Sequence, residues 1–163
     1  GNVIGGGDWA ANRLIPDAIR SIVDKKELLI RYPNSTRPWQ HVLEPLWGYM
    51  LLAKSLHDKE KEFCNSFNFG PYIQSNRTVK EVAEKIFEIW PGKYIYNDEE
   101  NKDHEAGKLY LQIDKAFQKL NWFPRIDFEK SIEKTIYWYK DFYKGKSSME
   151  CCLRDIDFYQ ELI

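Results

Sequence analysis

The chain is poor in several things, and each scarcity excludes a class of protein. It has three cysteines in 163 residues, Cys64, Cys151 and Cys152, two of them adjacent. An odd count with a neighbouring pair argues against a disulfide framework and for a reducing, cytoplasmic setting. No His/Cys spacing has the pattern of a metal site. No apolar run is long enough to span a membrane, and no signal-peptide pattern is present. An excess of basic charge is also missing: 24 Lys and Arg stand against 25 Asp and Glu. That balance excludes a nucleic-acid footprint, so an anionic ligand must be met by a few placed cations. No Ser/His/Asp or Cys/His arrangement stands out for nucleophilic catalysis, and no complete active site is readable from spacing.

Aromatic residues, by contrast, are abundant at 15% of the chain. Trp9, Trp39, Trp47, Trp90, Trp122 and Trp138 are spread along it. Most should be core, with one or two available to stack on a base. The chain opens on an apolar piece, Asn2 to Ile4, which reads as a strand. Gly5, Gly6 and Gly7 then break it before Asp8 and Trp9. Strand, glycine turn and helix in succession is how open α/β sheets build ligand sites. Such a strand needs neighbours on both sides. The expectation is therefore a C-terminal part of something larger.

Asn12 is a candidate cap for the next helix, and Pro16 suits its first turn. Ile15, Ala18, Ile19, Ile22 and Val23 share one face of that helix. Strands are expected at Leu28 to Arg31, Trp39 to Leu43, Ser66 to Phe69 and Tyr94 to Tyr96, with a turn from Tyr32 to Thr36. Glu44-Pro45 opens a helix bearing Leu46, Met50, Ala53 and Leu56. Thr78 and Glu81 form a capping box ahead of a stripe of Val79, Val82, Ala83, Ile86, Phe87 and Trp90. Asn97 to Asp103 reads as a charged loop, closed by His104-Glu105-Ala106. Leu109 to Ile113 looks extended. Asp114 is expected to cap a short helix to Leu120, with Asn121 in the left-handed position after it. Asp127 caps what should be the longest helix, striped by Phe128, Ile132, Ile136, Tyr139 and Phe142. Gly145 to Ser148 reads as a linker before an amphipathic piece, Leu153 to Leu162. Strands alternating with helices, without tight hairpins, give an α/β fold.

Few residues carry chemistry on their own. The triple glycine is either a phosphate cradle or a tight turn, and the turn weighs more. It is not a Walker loop, since no Gly-Lys-Ser/Thr follows, nor the G-x-G-x-x-G fingerprint. Arg37 precedes a proline and is held extended, able to aim a bidentate fork at phosphate; a solvated surface arginine is the equal alternative. Arg13 and Arg31 have the same two readings. His41 and His104 are candidate acid–base groups, although a packed or surface histidine is the commoner case. The acidic runs at Asp58 to Glu62 and Asp98 to Glu100 read as solvated.

Taken together, the motifs resemble a known family. Gly1-Asn2-Val3-Ile4-Gly5-Gly6-Gly7-Asp8-Trp9, Arg13-Leu14-Ile15-Pro16-Asp17 and Arg37-Pro38-Trp39-Gln40-His41-Val42-Leu43-Glu44-Pro45 closely resemble the CDP-glucose 4,6-dehydratases. These are extended short-chain dehydrogenase/reductase enzymes acting on nucleotide sugars. The likeness continues through Phe67 to Pro71, His104-Glu105-Ala106, Lys115-Ala116, Leu120, Trp122, Pro124 and Trp138-Tyr139. Gln112, Asp114 and Asn121 depart from the family's usual residues.

The resemblance implies a single substrate-binding lobe over residues 1–163 of the NAD-dependent epimerase/dehydratase fold. Residues 1–12 would end the Rossmann core, with its last strand and the glycine turn. Residues 13–163 would form the nucleotide-sugar-binding lobe. The NAD-binding Rossmann lobe and the catalytic Tyr/Lys pair would lie upstream. The implied reaction of the whole enzyme, a hydro-lyase, turns CDP-glucose into CDP-4-keto-6-deoxyglucose with NAD, in bacterial deoxysugar and O-antigen synthesis. No catalytic residue, metal or bound NAD is expected on this chain alone. The substrate positions implied by the match are Asn2, Arg13, Leu14, Ile15, Ile30, Arg31, Asn34, Arg37, Asn68 and His104. The chain alone is expected to be a monomer and the whole enzyme an oligomer, both cytoplasmic, with no nucleic-acid or membrane partner. Other nucleotide-sugar epimerases or dehydratases of the same family, and a stand-alone binding module, are the alternatives.

Overall fold

The computed structural model describes residues 2–96 and 109–163. The expected charged loop, His104 and the first part of its flank lie outside them. Strand β1 (Asn2–Ile4) runs into the glycine turn, and helix α1 (Leu14–Val23) follows. Next come strands β2 (Glu27–Ile30) and β3 (Thr36–His41) and helix α2 (Leu43–Lys59). Strand β4 (Asn76–Thr78), helix α3 (Val79–Ile89) and strand β5 (Lys93–Tyr96) complete the middle. Helices α4 (Asp114–Leu120), α5 (Phe128–Tyr143) and α6 (Ser148–Gln160) close the described chain.

Two small sheets carry this α/β order. In one, β1 pairs in parallel with β3, Asn2 opposite Trp39, and β3 pairs antiparallel with β4. In the other, β2 and β5 run parallel, with Leu29 opposite Ile95. Strand β1 is an edge of its sheet among the described residues. The main core gathers Ile15, Ala18 and Ile19 of α1, Val82, Ala83 and Ile86 of α3, and Ile132, Ile136 and Tyr139 of α5 against the strands. A second cluster, with Phe63, Phe69, Leu120 and Trp122, fills the space between α2 and α4.

Local signals formed as read where the chain near each one decides the outcome. Thr78 and Glu81 make the reciprocal capping box, Asp127 accepts from the Lys130 N–H, and Asn121 takes φ 50°. Several expectations are corrected. Asn12 is not the cap of α1: it sits at φ 63°, and Arg13 occupies the N-cap with no side-chain bond. Asp114 is the first residue of α4, not its cap, and its carboxylate instead accepts from the Gln112 amide at 2.8 Å. Ser66 to Phe69 forms no strand, because the Phe69 carbonyl is taken by the Gln40 side chain at 2.9 Å instead of a strand partner. Strand β3 starts three residues early because β4 pairs with Thr36 to Pro38. The expected linker at Gly145 to Ser148 is shortened by a second capping box, Ser147 with Glu150, which starts α6 there. Helix α2, at 17 residues, exceeds α5 by one. Val23 lies 39% exposed at the end of α1, beyond its buried stripe.

Candidate functional site

The glycine turn is fixed by what it touches. A Cβ at Gly6 would lie 1.9 Å from Cγ of Trp138, so only glycine lets the turn lie against that ring. Gly7 adopts φ 81°, a conformation that glycine takes without strain. Trp9 packs edge-on to Tyr139 at 5.2 Å and against Phe142 at 5.5 Å. The Tyr139 hydroxyl donates to the Asp8 carbonyl at 2.6 Å. On the other side, Arg20 donates to the Trp9 and Ala10 carbonyls at 3.1 Å each and to the Asp17 carboxylate. The turn is therefore clamped between α5 and α1. The tight-turn reading accounts for these glycines: the Trp138 ring occupies the space that a side chain at Gly6 would need.

A cleft of about 560 Å³ opens beside this turn. Its size suits a ligand of nucleotide-sugar scale. Asn2 to Gly5 of β1 and the turn form one side, and Asn12 to Asp17 bring the start of α1 to another. Leu28 to Tyr32, Arg37, Trp39 and Val79 complete the wall. Of the ten positions that the sequence points to, Asn2, Arg13, Leu14, Ile15, Ile30, Arg31 and Arg37 converge on this one cavity. Asn34 and Asn68 do not line it. Asn34 is exposed in the turn after β2, and the Asn68 amide donates to the Gln112 carbonyl at 3.3 Å. His104 is outside the described residues.

Among the described residues, the charged groups lining the cleft are Arg13, Arg31, Arg37, Asp8 and Asp17. Arg37 is 8% exposed, and its Nη1 donates to the Thr36 carbonyl at 2.9 Å. Arg13 lies at the mouth, paired with Asp8 at 3.0 Å. Arg31 is exposed. At the start of α1 no side chain caps the first N–H groups, and the partial positive charge there adds to the cations. Among the described residues that line it, the cleft has no histidine or lysine. Its guanidiniums, amides and apolar wall suit the holding of an anion with a flat or sugar-like group. Among the described residues no group of His, Cys, Asp and Glu is placed to hold a metal.

His41, one candidate acid–base group, does not line the cleft. It is 2% exposed, and its Nδ1 accepts from the Leu43 N–H at 3.4 Å. Burial, helped by the Lys134 cation, lowers its pKa to about 4, so it is neutral at pH 7. Glu44 was read only as a helix opener. It is fully buried, accepting from the Arg125 and Ile126 N–H groups at 2.6 Å each and from the Tyr159 hydroxyl at 2.8 Å. Burial raises its pKa, and those hydrogen bonds pull the other way. Asp8, Asn12, Asp17, Tyr32 and Trp39 also line the cleft and were not among the predicted positions. Asp8 and Trp39 sit inside the two most specific motifs, which was the available signal. Asp17 closes the Arg13 to Asp17 motif, while Asn12 and Tyr32 were read only as a cap and a turn residue.

No family model matches the chain. Over 98% of its length the chain is 41% identical to the CDP-glucose 4,6-dehydratase of Salmonella typhimurium, and it spans 45% of that protein. Among solved structures it is similar to an epimerase of Methanothermobacter thermautotrophicus, with TM-score 0.72 and 24% identity over 88% of this chain and 42% of that one. It is also similar to the UDP-glucuronic acid 4-epimerase of Bacillus cereus in complex with NAD: TM-score 0.70, 17% identity, 90% of this chain and 44% of that one. The dTDP-glucose 4,6-dehydratase of Bacillus anthracis in complex with NAD matches with TM-score 0.67 and 19% identity over 88% of this chain and 44% of that one. The resemblance read from the motifs therefore holds along the whole chain. The fold is the α/β one expected, shared with part of the extended dehydrogenase/reductase enzymes.

Proposed function

We propose that this chain is the substrate-binding part of a CDP-glucose 4,6-dehydratase. The observation that carries the reading is the convergence of Asn2, Arg13, Leu14, Ile15, Ile30, Arg31 and Arg37 on one cavity. These residues come from four separate stretches of sequence. A nucleoside diphosphate sugar is an anion with a flat base, and it needs cations and an apolar slot more than it needs acid–base groups. In this reading Arg37 and Arg13 face the pyrophosphate, Leu14 and Ile15 present backbone N–H groups, and Ile30 and Arg31 border the base. Asn2 reaches toward the sugar.

NAD and the proton-transferring residues are assigned to an N-terminal lobe outside residues 1–163. That lobe would dock beside the open edge of β1 and complete the sugar half of the pocket. The whole enzyme would be a cytoplasmic bacterial hydro-lyase in deoxysugar synthesis and an oligomer. The chain alone would be a catalytically inert monomer with weak affinity for the substrate. No helix among the described residues is long and apolar enough to cross a membrane.

Calorimetric titration with CDP and CDP-glucose tests the site. Arg37→Ala should weaken CDP binding by about tenfold or more, the loss of a charge-assisted contact to phosphate. Binding that survives this substitution unchanged removes Arg37 from the site. UDP and dTDP in the same titration decide the base: a preference for either moves the reading to another enzyme of this fold.

A further inference from the structure

We propose that Asp8 is the built-in counter-ion of Arg13: its carboxylate holds this guanidinium at the mouth of the cleft until the phosphate oxygens of a ligand replace it. The inference rests on reading the cleft as a nucleotide-sugar site. It adds a positioning residue that acts on the ligand through Arg13.

Asp8 is fixed at two of its three oxygens. Its carbonyl accepts from the Tyr139 hydroxyl at 2.6 Å, and Tyr139 is fully buried. Its Oδ1 accepts from the Ala10 N–H at 3.0 Å. The remaining oxygen, Oδ2, accepts from Nη1 of Arg13 at 3.0 Å. The Asp8 side chain is 33% exposed and that of Arg13 65%. A carboxylate on a rigid base thus holds a long, solvated side chain. An exposed pair of this kind contributes little to stability. It is readily exchanged for the stronger, charge-assisted bonds that a phosphate offers a guanidinium.

The rest of the mouth supports an exchange. Arg13 is the N-cap residue of α1 and no side chain caps that helix, so its first N–H groups meet the same space. The other aspartate of the cleft, Asp17, is held by Arg20, which also grips the turn. Asp8 is thus the lining carboxylate whose cation belongs to the cleft mouth. It opposes an incoming anion in two ways: it occupies Arg13, and it repels the ligand's charge. Its removal should therefore tighten anion binding, opposite in sign to the loss of an ordinary contact residue.

The test is an NMR titration of the whole chain with CDP and, as a baseless control, inorganic pyrophosphate. It compares the wild type, Asp8→Asn, Arg13→Ala and the double variant. Asp8→Ser, which keeps an acceptor for the Ala10 N–H, serves as a second replacement if Asp8→Asn does not fold. Replacement of Asp8 should tighten both ligands by about two- to fivefold, the range expected for one partly exposed charge. That gain should vanish in the Arg13→Ala background. Wild type that binds CDP with no tightening in the Asp8 variants overturns the counter-ion role and leaves the cleft standing. A gain that persists without Arg13 also overturns it, because general repulsion would then be the whole effect. No CDP binding by the wild type or by either Asp8 variant overturns both the counter-ion role and the substrate reading.

Discussion

At the scale of single residues, the chain uses burial to silence groups that look chemical in the sequence. His41 shows this. Its ring is buried at the end of β3 and does not line the cleft, and its folded pKa of about 4 stands below the ordinary value of 6.5. The unfolded chain therefore binds the proton more tightly. The contribution of His41 is fully present above pH 6.5 and is lost as pH falls through that value toward 4. The span corresponds to about 3 kcal/mol at about 1.4 kcal/mol per pH unit. Glu44, with its pKa raised, acts with the opposite sign: its contribution is present below 4.5 and lost as pH rises through the folded value. Comparison of urea unfolding of the wild type and His41→Gln between pH 7 and 4 isolates the histidine. The wild type should lose more stability than the variant over that range, and parallel curves would show that His41 does not titrate this way.

At the scale of elements, one carboxylate joins three segments that are far apart in sequence. Glu44, in the first turn of α2, accepts from the N–H groups of Arg125 and Ile126 and from Tyr159 of α6. The Glu44 carbonyl also accepts from the Trp122 indole at 3.1 Å. Helix α6 is thus anchored to the corner that follows β3, the strand that brings Arg37 to the cleft. Glu44→Ala leaves the buried Ile126 N–H, the partly buried Arg125 N–H and the Tyr159 hydroxyl without their acceptor. It should cost about 3 kcal/mol or more in urea unfolding, whereas Tyr159→Phe, which removes one bond and no charge, should cost about 1 kcal/mol. Equal losses in the two variants would count against the shared anchor. Spacing foretold the helices more readily than these links. The Thr78 and Asp127 caps act within three residues, so their side chains and targets lie together in the sequence. The Ser147 box obeys the same rule, but the reading of Gly145 to Ser148 as a linker hid it. Strand β4 is three residues without a pattern of its own, and it exists only because β3 lies beside it.

At the scale of the whole molecule, the described residues leave several large apolar side chains exposed on α2 and on β1. Leu46, Tyr49 and Met50 on α2 are 45%, 57% and 63% exposed, and Val3 at the open edge of β1 is 39% exposed. In the enzyme proposed above, the α2 residues would meet the NAD-binding lobe. The pair Leu46→Arg and Met50→Arg should leave the stability of the isolated chain within about 0.5 kcal/mol, as for surface positions. The same pair should abolish the association of the chain with a co-expressed NAD-binding half, read by size-exclusion chromatography. Retained association would move the docking face elsewhere. By itself the sequence determined the α/β class, the Thr78 and Asp127 caps, the helical stripes and the motif clusters that resemble the dehydratases. Each of these rests on residues within a turn or two of one another, or on short motifs. Only the tertiary structure decided that Asn2, Arg13, Ile30 and Arg37 share one cavity, that Asn34 and Asn68 stand outside it, and that Glu44 is an internal anchor. Those outcomes depend on contacts between distant segments, such as Glu44 with Ile126, 82 positions apart, and no local period encodes them. The opening glycines join the two levels: the sequence marked a turn there, and the ring of Trp138 against Gly6 shows why it had to be glycine.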